Sequence, residues 1–417
     1  MKKRELLTVV STAIVSTSIL LLLQKLLTNT KRKKQQQDKT EENHLITKIQ
    51  KDEARRRLPV FVWKYISYDS GEGRTKTHVR DSFSRYKLLP RILVEASKTT
   101  TSTKLFSKKT LKVPLLVAPT AFHSLYHPRG EEATAMGTSE AQVGYCYNIS
   151  LSNVDINTVS RSSTSIKWAH LYLWKDRKYV LWQVKLAERL GFDAIIVTCD
   201  HPHDRVKHAT MPWFAPHEDK VFPGRRETLR EIMTFPNLSR YQEEMNIQNS
   251  ESDVAGINDD TLTFRDLKWL CECTSLPVVC KGVLSPKDAI SAVEAGCHGV
   301  CVSNHGGRQL DLAPSPIQIL PEVRKSLKKD FPIIIDSGFY SGQDMCKAIM
   351  LGANFVMTGR PFFIGIAALG EIGAQHVHDI IKDEIQNVME QVCCKDIKSL
   401  PKEKLSINNN YYLKDLN

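Results

Sequence analysis

Eight short apolar runs, rich in β-branched residues, recur along this chain, and between them the hydrophobic spacing becomes helical. In order they are VPLLVAPT ending at Thr120, GYCYNIS at Ser150, IKWAHLY at Tyr172 and FDAIIVTCD at Asp200, then LPVVCKG at Gly282, HGVCVSN at Asn304, FPIIIDSG at Gly338 and NFVMTGR at Arg360. Runs with little polar alternation are strands covered on both faces, as in a parallel sheet flanked by helices. Eight such units predict an α/β chain closed into a (β/α)8 TIM barrel rather than an open sheet. The barrel is expected over residues 111–395, after an N-terminal helical cap over 51–110.

The last four runs form two similar halves. In each, a serine (Ser285, Ser341) stands where it can cap a helix whose N3 residue is Asp288 or Asp344. Each helix then stops near a glycine, Gly296 or Gly352, before the next strand. VHDIIKDEIQNVMEQV, 377–392, has the spacing of a final barrel helix.

Outside the barrel, the stretch from Leu6 to Leu23 is uncharged, about the shortest length that spans a bilayer as a helix. The heavier basic cluster, Lys31 to Lys34, follows it, so the expectation is a membrane anchor over residues 1–30 with the main domain facing the cytosol. Peroxisomal or mitochondrial placement is the alternative. Residues 31–50 read as a charged linker and 396–417 as a C-terminal tail.

The net charge of +12 would fit a nucleic-acid binder if it formed a basic stripe with aromatics. Instead, residues 1–34 carry eight basic side chains against Glu5 alone, so no nucleic-acid partner is expected. The ten cysteines mostly sit singly in apolar runs, and the pairs Cys271/Cys273 and Cys393/Cys394 lack partner pairs at zinc-ligand spacing. No metal site is expected.

Barrels of this kind place their chemistry at the C-terminal strand ends. The polar residues there include Thr120, Ser150, Tyr172, Thr198, Asp200, Lys281, His305, Arg308, Asp336 and Arg360. Gly338, Gly359 and Arg360 follow strands seven and eight, where backbone amides, a helix N-terminus and a guanidinium can receive a phosphate. Lys281 interrupts an apolar strand, so it must point into the mouth or be paired. His305 can act as a base near neutral pH and Arg308 can hold a carboxylate bidentately. The glycines between them, Gly306 and Gly307, admit a flat ligand close to the backbone.

The stretch SNHGGRQLD, with SFSRYKLLPRIL, VAPTAFHSLYHPRGEEATA, AERLGFDAIIVTCDHP and LGANFVMTGRP, resembles the FMN-dependent 2-hydroxy-acid oxidases and dehydrogenases, the glycolate oxidase family. The resemblance runs through most of residues 52–395. It implies FMN as cofactor and oxidation of a small L-2-hydroxy acid to the 2-oxo acid, with oxygen as acceptor giving hydrogen peroxide, or with another electron acceptor such as a quinone. His305 would be the base, Asp200 its carboxylate partner, and Lys281 the stabiliser of reduced flavin. Arg308, Tyr65 and Tyr172, with Lys207, would bind substrate. Pro119, Thr120, Ala121, Ser150, His170, Thr198, Ser303, Asp336, Ser337, Gly338, Gly359 and Arg360 would line the flavin. The resemblance also implies a homotetramer.

Five positions depart from the family pattern, among them Leu151, which stands where an aromatic residue is usual after the second-strand serine. Lys207 stands where a second substrate arginine is usual, His170 replaces a glutamine, Ser337 a glycine, and Tyr340 a phosphate-binding arginine. The long segment 201–275 corresponds to the family's active-site lid. Two readings therefore stay open: an active 2-hydroxy-acid oxidase, or a drifted paralogue that keeps the FMN barrel as a binding or scaffold protein.

Overall fold

The computed structural model describes residues 45–95, 97–201, 235–247 and 259–407. The chain divides into two compact units, Met1–Ile49 and Gln50–Asn417. Of the first, only the start of the helix Leu45–Arg57 is described. The expected anchor, most of the linker, Lys207 and much of the lid segment lie outside the described residues. Among the described residues, no helix is long and apolar enough to cross a membrane.

The eight apolar runs form eight strands. They are β2 (Leu115–Val117), β3 (Gly144–Asn148), β4 (Lys167–Leu171), β5 (Ala194–Thr198), β6 (Val278–Val283), β7 (Gly299–Val302), β8 (Ile333–Ile335) and β9 (Phe355–Thr358). They pair in sequence order, every neighbour parallel, and β9 closes on β2. This is the expected (β/α)8 TIM barrel.

Side chains alternate along a strand, so one parity fills the barrel and the other meets the helices. The interior holds Leu116, Ala118, Cys146, Trp168, Ala194, Ile196, Val279, Cys301, Ile334 and Met357 in one apolar cluster. Phe106 packs against it, its ring 5.7 Å from that of Trp168. That layer is the floor of the site, because the next residues of the same parity are polar.

The helices begin where the sequence places their caps. The Ser285 hydroxyl accepts from the Asp288 amide at 3.0 Å, and that of Ser341 from Asp344 at 3.2 Å. The final helix, Glu371–Gln391, starts six residues before the expected 377. Between β5 and β6, Thr263 and Asp266 cap the helix Phe264–Glu272 reciprocally.

The N-terminal segment is not purely helical, and part of the expected tail is ordered with it. After the helices Val60–Ser67 and Arg74–Ser84, β1 (Tyr86–Leu88) pairs antiparallel with β10 (Leu405–Ile407). The segment is tied to the barrel mouth as well. Asp311 accepts hydrogen bonds from the backbone amides of Glu72 and Thr75, both at 2.9 Å.

Candidate active site

Following the inward parity past the apolar floor gives the site directly. Trp168 leads to His170 and Tyr172, and Ile196 leads to Thr198 and Asp200. Val279 leads to Lys281, Cys301 to Ser303 and His305, and Ile334 to Asp336. Barrel closure brings these strand ends to a common mouth.

Lys281 is paired, as its burial demands. Its Nζ lies 2.9 Å from Asp336 Oδ2 and donates to Ser303 Oγ at 2.9 Å. Burial alone would lower its pKa, but the Asp336 and Asp200 carboxylates outweigh that and hold the ammonium charged above the ordinary lysine range.

His305 Nδ1 lies 2.9 Å from Asp200 Oδ1. Burial pulls the imidazole pKa down; Asp200 pulls it up, while Lys281 and His201 add to the lowering, and the net shift is downward. Asp200 shows the converse balance: burial raises it, the charge and hydrogen bond of His305 lower it further, and it stays ionised. The imidazole is therefore neutral at neutral pH, with Nδ1–H donated to Asp200 and the Nε2 lone pair available. Gly282, at φ +114, lets Asp200 come this close, since a Cβ there would stand 2.5 Å from Asp200 Cβ.

Arg308 donates to the Tyr65 carbonyl at 2.9 Å and lies over two rings, 4.8 Å from the centroid of Tyr65 and 5.3 Å from that of Tyr68. The structure thus brings together the expected carboxylate partners, Arg308 and Tyr65. Tyr172 meets His170 edge-on at 4.9 Å and His201 at 5.6 Å.

The departures from the family pattern have local explanations. His170 Nε2 is 2.7 Å from Thr198 Oγ1, and burial first, then the Lys281 charge, keep the ring neutral. Ser337 stands at φ +77, a left-handed conformation that favours glycine. Its hydroxyl accepts from the Gly306 amide at 3.0 Å and donates to Asp336 at 2.8 Å, joining the loops that follow β7 and β8. The Tyr340 ring lies under Arg80, 4.8 Å from the guanidinium carbon.

Arg360, expected to clamp a phosphate, has its guanidinium donating to the carbonyls of Ile66, Tyr68 and Gly306, each at 3.0 Å. It fastens the N-terminal segment to the mouth, and an anion there would share or displace these carbonyls.

Sequence reasoning missed two histidines. His201 lies beside the candidate base, ring centroids 5.8 Å apart. His123 is fully buried, with Nε2 2.7 Å from Thr120 Oγ1 and Nδ1 2.9 Å from Thr134 Oγ1. His201 was visible as the residue after Asp200, whereas nothing in the spacing marked His123.

The residues present fit a flavin. Two buried polar atoms of these strand-end residues, His170 Nδ1 and Asp200 Oδ2, have no hydrogen-bond partner among the described residues. The helix Arg360–Leu369 begins at Gly359 with no side-chain cap; Pro361 has no N–H and the Phe362 and Phe363 amides donate to the Gly359 carbonyl, so of its first turn the Arg360 amide is left for a phosphate. Gly359 itself lies beside Thr120: a Cβ there would stand 3.7 Å from Thr120 Cγ2.

Comparison with known proteins agrees. The chain is 36% identical over 344 residues to a peroxisomal (S)-2-hydroxy-acid oxidase of Oryza sativa subsp. japonica, covering 82% of this chain and 91% of that protein. It is 33% identical over 367 residues to the glycolate oxidase of Spinacia oleracea, covering 87% and 96%. A solved (S)-mandelate dehydrogenase, oxidised active mutant, superposes with a TM-score of 0.75 at 28% identity, covering 86% and 98%. A soluble mutant of the membrane-associated (S)-mandelate dehydrogenase from Pseudomonas putida gives 0.73 at 28%, with the same coverage. The family model described as FMN-dependent dehydrogenase matches residues 54–407. On this evidence the chain belongs to the FMN-dependent dehydrogenase family, and its cofactor is FMN.

Proposed function

We propose that the protein is an (S)-2-hydroxy-acid oxidase, converting a small L-2-hydroxy acid to the 2-oxo acid with oxygen as acceptor and hydrogen peroxide as product. The observation that carries this reading is His305 held by Asp200 at the mouth that Arg308 and Tyr65 share.

Arg308 binds the substrate carboxylate, its planar fork matching two oxygens, with Tyr65 beside it. Tyr172 contacts the substrate oxygen, and Lys207 adds charge from the lid segment. His305 takes the hydroxyl proton at Nε2. The ionised Asp200 fixes the tautomer beforehand and stabilises the imidazolium that forms. FMN, when bound, would supply the acceptor for the hydride equivalent. Lys281 would stand as a fixed positive charge beside the cofactor, and Ser150, His170, Thr198, Ser303, Asp336 and the 337–338 turn would line it.

The test is anaerobic mixing of the FMN-loaded protein with a panel of L-2-hydroxy acids. One of them should bleach the flavin absorption, and oxygen should restore it with release of peroxide. A yellow protein that none of them bleaches would instead support the scaffold reading.

The apolar segment 6–23 is proposed as a membrane anchor with the barrel facing the cytosol. The membrane association named for the Pseudomonas putida relative supports it, and the peroxisomal name of the rice relative supports the alternative. Carbonate extraction of membranes and organelle fractionation separate the two. A homotetramer is proposed from the family resemblance, and light scattering tests it.

A further inference from the structure

Strands β5 and β6 carry chemistry on both faces. Inward they present Thr198, Asp200 and Lys281. The opposite parity places Cys199 and Cys280 on the outer face, each next in sequence to a group of the site. The strands run in register, Val197 beside Cys280 and Thr198 beside Lys281, and the Cys199 amide donates to the Lys281 carbonyl at 2.8 Å. The two sulfurs are 3.5 Å apart, with Cys280 donating to Cys199. Cys280 is 2% exposed, whereas Cys199 is open to solvent.

We propose that Cys199 and Cys280 are a modification site for hydroperoxides: a thiol pair that closes to a disulfide on the outer face of β5 and β6 and thereby shifts Asp200 and Lys281.

The reaction balances with hydrogen peroxide as oxidant. The Cys199 sulfur attacks one peroxide oxygen, the O–O bond breaks, and the departing hydroxide is protonated to water, leaving a sulfenic acid. The Cys280 sulfur then displaces the sulfenic hydroxyl, which leaves with the Cys280 proton as a second water. Two thiols lose two electrons, and one peroxide becomes two waters. The exposed Cys199 is the sulfur that peroxide reaches first. The hydrogen bond to Cys199, followed by burial, keeps the Cys280 thiol protonated above the ordinary range, as suits the sulfur that acts second.

Closure brings the sulfurs from 3.5 Å to a bond length of about 2.0 Å. Asp200 has little slack to absorb this, because it packs against the backbone of Gly282. The modification site does not depend on turnover; its biological supply of peroxide, from the protein's own reaction, rests on the proposed oxidase activity.

The test uses the full-length, FMN-loaded protein treated with added hydrogen peroxide. Differential alkylation and mass spectrometry should find a Cys199–Cys280 crosslink, reversed by dithiothreitol and lost in Cys199→Ser and in Cys280→Ala. Anaerobic flavin reduction should slow at least about tenfold on oxidation and recover on reduction, since a shift of about 1 Å in a reacting group can cost on the order of 100-fold. Cys199→Ser should react at the untreated rate and resist peroxide. A crosslink confined to Cys271 and Cys297, whose sulfurs are 3.9 Å apart, would overturn the proposal. So would a Cys199 over-oxidised with no crosslink, or a crosslink that leaves flavin reduction unchanged. If no hydroxy acid reduces the flavin, the crosslink still reports on the thiol pair by itself.

Discussion

His305 Nδ1 and Asp200 Oδ1 stand 2.9 Å apart although 105 residues separate them, so one ring nitrogen is committed and the other left for substrate. Asp200→Asn should cut the maximal rate of flavin reduction on the order of 10²–10⁴-fold, the usual range for a lost acid–base partnership. His305→Ala should abolish reduction while the protein stays yellow. Stopped-flow absorbance measures both, and an Asp200→Asn rate within a factor of two of the parent would remove the pair from the mechanism.

The pH profile follows from the sign of the shift. His305 works as the neutral base and its pKa lies below the ordinary imidazole value, so kcat/KM should stay level down to about pH 6.5 and fall only at more acid pH. His201 lowers that pKa, so His201→Ala should move the acid limb upward. A limb that stayed in place would mean the two rings do not interact.

The Lys281–Asp336 pair is buried, and removing one partner strands the other. Lys281→Met should destabilise the protein by about 3–5 kcal/mol, whereas adding Asp336→Leu should recover most of it. Urea unfolding of the two single variants and the double variant gives the comparison. A double variant whose loss equals the sum of the two single losses would show that the charges do not depend on each other.

Ser337 combines a strained backbone with a hydroxyl in use. Ser337→Ala and Ser337→Gly both lose the bonds to Gly306 and Asp336, but only glycine relieves φ +77. Glycine should therefore be the more stable by about 1 kcal/mol, read from thermal melts. Alanine matching glycine would show that the loop relaxes without cost.

His123 is held neutral, its pKa pushed down to about 3 by burial. A folded-state value below the unfolded one means that stability is lost as pH falls below about 6.5, by roughly 1.4 kcal/mol per pH unit. Nearby Glu131, raised to about 7 by burial, works oppositely between its ordinary value and pH 7. Melting of His123→Gln against the parent isolates the histidine: the difference should move in favour of the variant between pH 6.5 and 4.5. A constant difference would mean that the imidazole protonates without unfolding.

Much of this was legible in the strands. A two-residue period and the change from apolar to polar side chains are local properties, so Thr198, Asp200, Lys281, His305 and Asp336 could be placed at the mouth before any coordinates. The engagement of Arg360 by the carbonyls of Ile66 and Tyr68 could not be read, because backbone acceptors leave no trace in residue identity. The use of Ser337 depends on a backbone angle, and the pairing of Cys199 with Cys280 on strand register. His123 looked like any loop residue until folding set it under Thr120.

The pairing of Tyr86–Leu88 with Leu405–Ile407 has a consequence for biosynthesis. A ribosome delivers the first of these segments more than three hundred residues before the second. Every barrel strand is therefore made while β1 still awaits its mate. This two-stranded sheet can close only after the last barrel helix has emerged, so its pairing comes late in the chain's assembly.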